Sequence, residues 1–231
     1  MNKIIRVLIG AVAISSLAVA GCNVASMVGG PFANGWDKPV DPDGDCVFLR
    51  DMSGMTMQVP GKYHDLAVER NVMNAPRLLR DAQGDFTAQT SVSGPFLPSA
   101  ISTAPPTVPF LGAGLLVMDG DRTYARLERA AMNKNGQVQN AVVWELRMDG
   151  RPPISQWPSF TPQADRALSL RLQRKGDRLL ASVSQDGVSW TNLQPFDAKM
   201  SPNLKIGVAA ISTSQAPFLP HFDSFSLTPG G

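Results

Sequence analysis

Two glutamates set the first chemical question. Glu128 lies in Tyr124-Ala125-Arg126-Leu127-Glu128-Arg129, and Glu145 in Trp144-Glu145-Leu146-Arg147, on either side of the turn-forming cluster Asn133-Lys134-Asn135-Gly136. Such a cluster between two alternating segments reads as a hairpin. Pairing 124–130 with 141–148 about residues 136–137 sets Glu128 opposite Glu145 and Arg126 opposite Arg147. Side chains alternate along strands, so Tyr124, Arg126, Glu128, Glu145 and Arg147 share one face, and Leu127, Trp144 and Leu146 turn to the core on the other. Two carboxylates about 5–5.5 Å apart suit a retaining glycosidase. The same residues, joined by Arg171 with Ser169 and Gln173 on a further strand, equally form a polar surface for a ligand, or a self-neutralising ion-pair lattice in which each exposed pair contributes about 0–1 kcal/mol. Glu128 stands alone in its strand, without a neighbouring acid to assist it.

Aromatic side chains offer flat platforms for the apolar faces of sugar rings. Trp157, in the loop Pro152-Pro153-Ile154-Ser155-Gln156-Trp157-Pro158, is the first candidate and Tyr124 the second. The alternative for Trp157 is packing at the core edge. Trp190 is expected to pack.

Asp41, Asp43 and Asp45 place oxygens at alternate positions, as calcium loops do, but position 52 is Met where an EF-hand would carry Glu. The run reads as an acidic turn opening the first strand, with a structural Ca²⁺ as its alternative; no cofactor is otherwise expected. Cys46 reads as a small apolar residue, and its spacing from His64 and His221 matches no metal motif. His64 reads as a hydrogen-bonded turn residue. There is no Gly-x-Ser-x-Gly nucleophile elbow and no phosphate-binding glycine loop. Asp186-Gly187 resembles part of a sialidase-type Asp-box but has the wrong spacing, and is expected to form a type I′ turn.

These side chains must be carried by strands. Phe86, Ala88, Thr90 and Val92 alternate, as do Leu168, Leu170 and Leu172, while 114–118 is continuously apolar, as in a strand buried on both faces. About ten such strands separated by Gly, Pro, Asn and Asp, with no helical period, predict an all-β sandwich of two antiparallel sheets. The chain has 20 Gly and 19 Pro among 231 residues, five of the prolines within 95–110, a stretch read as a long rim connection. One domain is expected over 35–231.

The N-terminus is an address. Met1 to Arg6 carries two cations, and the run from Val7 to Ala20 is apolar but too short to span a bilayer comfortably. Leu17-Ala18-Val19-Ala20-Gly21-Cys22 resembles the lipobox of bacterial lipoproteins. It implies a signal peptide over 1–21, lipidation at Cys22 and a tether over 22–34. Each buried acyl CH₂ contributes about 0.8 kcal/mol to such an anchor. The expected location is the cell envelope, with Asn23 favouring the outer membrane. The net charge of +2 vanishes when Lys3 and Arg6 leave with the signal peptide, so the mature chain lacks the basic excess a nucleic-acid binder needs.

Most of the mature chain resembles a bacterial family of concanavalin A-like jelly-roll domains whose label mentions regulation of enolase. The resemblance rests on Asp41-Pro42-Asp43-Gly44-Asp45-Cys46, Val59-Pro60-Gly61, His64-Asp65-Leu66, Asn74-Ala75-Pro76-Arg77-Leu78-Leu79 and Gly84-Asp85-Phe86. It continues through Gly112-Ala113-Gly114-Leu115-Leu116, Tyr124 to Arg129, Leu170 to Arg174, Ser184 to Trp190, Lys205 to Ala210 and Phe222-Asp223-Ser224-Phe225. It implies a concanavalin A-like jelly roll and a bias towards glycan contact through a concave face, and no reaction. The reading is a lipid-anchored, non-catalytic binder of a glycan or envelope protein. Its rivals are a glycoside-active enzyme using Glu128 and Glu145 and a purely structural envelope component.

Overall fold

The computed structural model describes residues 32–230. The expected signal peptide, Cys22 and the tether as far as residue 31 lie outside the described residues. Sixteen strands are described. They begin with β1 (Val47–Arg50), β2 (Gly54–Gln58), β3 (Leu66–Ala67), β4 (Val72–Met73), β5 (Arg77–Gln83) and β6 (Phe86–Ser93). The longest follow: β7 (Phe110–Asp119), β8 (Thr123–Lys134) and β9 (Gln137–Arg147), then β10 (Ile154–Gln156). The remainder are β11 (Leu168–Lys175), β12 (Arg178–Ser184), β13 (Thr191–Asn192), β14 (Phe196–Asp197), β15 (Asn203–Ser212) and β16 (His221–Pro229). Among the described residues there is no α-helix, only a 3₁₀ turn at Val68–Arg70.

Two antiparallel sheets form a jelly-roll sandwich. One runs β1-β2-β16-β6-β11-β12-β13, with β14 also on β12; the other runs β10-β9-β8-β7-β15-β5. The late strands β16 and β15 each insert between early ones, so both sheets close only through long-range pairing. Alternation decides which side chains meet between the layers. Phe86, Ala88 and Val92 of β6 and Leu168, Leu170 and Leu172 of β11 face Leu115 and Val117 of β7 and Leu127 of β8 within one core. Trp144 is fully buried there; it stacks on Phe196 with centroids 4.6 Å apart and donates Nε1–H to the Gln194 carbonyl at 3.0 Å. An indole needs such a partner when its N–H leaves water. Phe32 is also buried, against Trp36 and Phe225, so packing begins three residues before the expected domain start.

The strand β7 is buried on both faces, as its apolar run predicts, because the six-stranded sheet is itself covered. Residues 62–76, including the β3-β4 hairpin, lie over its outer face. There Leu66, Val68 and Ala75 pack with Leu116, Met118, Tyr124, Ala209 and Ile211.

Four local expectations are corrected. The β8-β9 turn centres on Asn135-Gly136, whose φ values of 54° and 83° make it type I′, so Arg126 faces Glu145 and Glu128 faces Val143. The slip from the expected register is two residues, which leaves every side chain on its expected face. Arg171 does not extend the Arg126 face: β11 belongs to the opposite sheet, where the Arg171 guanidinium lies 3.7 Å from the Trp190 ring and donates to Gln89 at 3.0 Å. Asp186-Gly187 is not type I′, since only Gly187 has positive φ; the Asp186 carboxylate instead accepts the N–H groups of Val188 and Ser189. The proline-rich connection is not merely a rim, because Phe96 inserts into the core edge-on to Phe218, 5.0 Å away.

Candidate functional site

The outer face of β8 and β9 carries a buried charge network. Glu145 is its hub: Oε1 accepts from Arg126 Nε at 2.9 Å and Arg147 Nε at 2.6 Å, and Oε2 accepts from Ser155 Oγ at 2.6 Å. The position of Ser155 follows from the β10-β9 register, which pairs it with Glu145. Arg126 Nη1 also donates to Asp65 at 3.3 Å, and Arg147 Nη1 to Glu69; both acids arrive on the covering segment. This is the ion-pair lattice among the expected alternatives, but buried, so its members depend on each other far more than surface pairs do.

The two candidate catalytic carboxyls have opposite environments. Burial by itself raises the pKa of Glu145, yet Arg126 and Arg147 outweigh it and hold the group at about 2. Glu128 is 1% exposed, and burial pushes its carboxyl up to about 7, with Arg126 opposing and Glu145 and Asp65 adding to the rise. Glu128 Oε1 stands 3.7 Å from Arg126 Nη1, and Oε2 has no hydrogen-bond partner among the described residues. Gly112 on β7 makes its space: a Cβ there would sit 3.0 Å from Glu128 Oε2.

Beside this network opens a groove of about 200 Å³. Asp65, Glu69 and Arg70 form one wall, Arg126, Glu145 and Arg147 the floor, and Phe110 and Trp157 the apolar side. Trp157 is 52% exposed, edge-on to Phe110 at 6.3 Å, and it borders a second depression with Phe160 and Asn192. An indole so placed presents an exposed flat surface at a cleft whose walls are mostly apolar and whose floor is charged.

The expected site residues thus divide. Arg126, Glu145, Arg147 and Trp157 meet at the groove. Glu128 is sealed beneath it and outside its lining, and Glu128 and Glu145 are not cross-strand partners. Tyr124 is corrected from platform to packing: it is fully buried under the covering segment, where burial raises the pKa of its hydroxyl. Arg171 lies on the other sheet. Among Asp41, Asp43 and Asp45, Asp41 is taken up by its own loop, accepting from Gly44 N at 3.2 Å and Cys46 N at 2.9 Å. Asp65, Glu69 and Arg70 were not expected at the groove; no local pattern in 62–76 marks a segment that folds across a sheet.

Comparison with known proteins places this architecture. A family model described as a protein of unknown function (DUF1349) matches residues 62–230, and the chain belongs to that family. No curated protein matches it. A functionally unknown protein from Saccharomyces cerevisiae superposes with a TM-score of 0.62 at 16% identity, covering 85% of this chain and 96% of that one. The carbohydrate-binding module CBM66 from Bacillus subtilis gives 0.52 at 12% identity over 84% and 95%. An alginate lyase from Klebsiella pneumoniae gives 0.55 at 13% identity over 85% and 96%. At these identities the likeness is one of fold.

Proposed function

We propose that this DUF1349 protein binds a neutral glycan, without turning it over, in the groove between Trp157 and the Arg126–Glu145–Arg147 floor, and that it does so while tethered to the cell envelope through a lipid on Cys22. The observation that carries the reading is the half-exposed Trp157 indole at the mouth of a cleft with mostly apolar walls and charged side chains among its lining. Sugar rings combine apolar C–H faces with dense hydroxyls, and this cleft pairs an aromatic plane and apolar walls with the exposed charged side chains of Glu69 and Arg70. Three guanidinium groups (Arg70, Arg126, Arg147) stand against three carboxylates (Asp65, Glu69, Glu145) in the lining, a balance that favours an uncharged ligand over a polyanion. Sharing a fold with a carbohydrate-binding module supports carbohydrate as the ligand class.

Binding is favoured over hydrolysis by the state of the carboxyls. A general acid must reach the glycosidic oxygen. Glu128, whose raised pKa suits that role, is sealed from the groove, while Glu145 is committed to three hydrogen bonds.

A glycan array followed by calorimetry on the best ligand tests the reading. Trp157→Ala is expected to weaken binding about tenfold, the equivalent of 1.4 kcal/mol, at unchanged melting temperature. Full affinity in that variant, or an array empty of neutral glycans, defeats it.

A further inference from the structure

Residues 41–46 fold back on themselves through the two Asp41 hydrogen bonds, and this closure brings Asp45 and Cys46 against His64, eighteen positions beyond Cys46. His64 is held from the other side. Its backbone pairs with Ser212 in both directions at 2.8 Å, and its ring is fully buried. Nε2 of that ring lies 2.9 Å from Asp45 Oδ1 and 3.9 Å from Asp43 Oδ2, while Nδ1 lies 3.4 Å from the Lys62 carbonyl. Cys46 Sγ is 3.6 Å from the same Asp45 Oδ1. One donor atom each from Asp45, Cys46 and His64 thus falls within 4.8 Å of the others.

We propose that His64 Nε2, Cys46 Sγ and Asp45 Oδ1, completed by Asp43 Oδ2, form a binding site for a tetrahedral transition-metal dication, zinc in the first instance. Metal–ligand distances of about 2.0 Å for N and O and about 2.3 Å for S give tetrahedron edges of about 3.3 Å between N and O and about 3.5 Å between S and O. The Cys46–Asp45 separation already matches and the Asp45–His64 separation widens by a few tenths of an ångström, while Asp43, outside this three-residue group and accepting from Asn74 Nδ2 at 2.8 Å, turns in from 3.9 Å off His64 Nε2 to take the fourth position. Both ring nitrogens of His64 face oxygens, an arrangement that serves two N–H donors or a single Nδ1–H with a cation at Nε2. In the second case Nδ1–H goes to the Lys62 carbonyl, the backing that orients most metal-bound histidines.

The donor set selects the metal. Calcium takes six to eight oxygens, whereas imidazole and thiolate together select zinc-like ions. Loading breaks the Cys46 S–H bond, forms a sulfur–metal bond and releases the proton to solvent. Burial and the acidic neighbours keep the thiol protonated without metal, and a coordinated dication reverses that preference. Lys62 holds Asp45 Oδ2 at 2.8 Å and leaves Oδ1 for the metal. The dication and the Lys62 ammonium together balance the thiolate and the two carboxylates. The bound ion would clamp the 41–46 loop to the start of the segment whose next residue, Asp65, contacts Arg126 in the groove floor.

The test uses the purified chain in a Cys22→Ser background, so that Cys46 is the only thiol, stripped of metal and titrated with Co²⁺ and then Zn²⁺. The expected result is a thiolate-to-cobalt charge-transfer band that saturates at one equivalent and is bleached by zinc, with a rise in melting temperature on zinc addition. Cys46→Ser should abolish the band and weaken zinc binding more than about 100-fold, beyond what loss of a group that merely supports a ligand costs. Because a substitution of buried His64 threatens folding, Asp43→Asn on an exposed side chain serves as the second variant, with zinc binding about tenfold weaker and an unchanged metal-free melting temperature. A cobalt spectrum without the thiolate band, or unchanged zinc affinity in either variant, overturns the site.

Discussion

Glu128→Gln isolates one buried carboxyl and one pH window. The folded protein holds Glu128 at about 7 against an ordinary value of 4.5, chiefly because burial disfavours its charged form. Between those two pH values the folded state keeps a proton that the unfolded chain has lost, so stability falls as pH rises through the window. At about 1.4 kcal/mol per pH unit the full loss is about 3 kcal/mol, complete above pH 7 and absent below pH 4.5. Glutamine has nearly the same shape and no charge to bury. Urea unfolding of parent and variant at pH 4.5, 6 and 8 reads the difference directly. At pH 4.5 the two should agree within about 1 kcal/mol, the scale of one exchanged hydrogen bond. At pH 8 the variant should be more stable by about 3 kcal/mol relative to that baseline, a midpoint about 1 M or more higher in urea. An offset that stays constant across the three pH values would show that Glu128 ionises freely, and would refute the burial argument.

Glu145→Ala should cost about 3–5 kcal/mol at pH 7, measured by the same denaturation, since it strands Arg126 and Arg147 in a buried site. Because Glu145 is held at about 2, its contribution is complete above pH 4.5 and disappears as pH falls towards 2, so the variant should lack that acid-side decline. Gly136→Ala should cost about 1 kcal/mol in unfolding experiments, purely from the φ of 83°, since a Cβ there meets nothing within 4 Å among the described residues. Cys22→Ser should move the protein from the membrane fraction to the soluble fraction of cells expressing it, and continued membrane association would exclude the lipid anchor.

Strand identity and facing were legible because they are local. Alternation in 86–92 and 168–172 picks the buried face of each strand without knowledge of its neighbours, and Asn135-Gly136 builds a hairpin wherever it falls between two such runs. Even the misplaced β8-β9 register kept Arg126, Glu128, Glu145 and Arg147 together, since a shift of two residues restores the same face. Which strands become neighbours is a different matter. Arg171 alternates as regularly as Arg126, yet it stands in the opposite sheet because β11 pairs with β6 and β12.

The amino-acid order by itself determined an all-β chain, the inward set of Leu127, Trp144 and Leu146, and a polar face on the same hairpin. Only the tertiary structure decided that this face is covered rather than open. The segment 62–76 crosses it, burying Tyr124, supplying Asp65 and Glu69 as partners for the arginines, and leaving a groove beside Trp157. The meeting of Cys46 with His64 was likewise decided by the fold. The physical reason is the range of the interactions: side-chain alternation and turn chemistry act over a few residues, whereas covering a sheet depends on loops closed across the whole chain, whose entropy is recovered only once the apolar contacts between distant segments form.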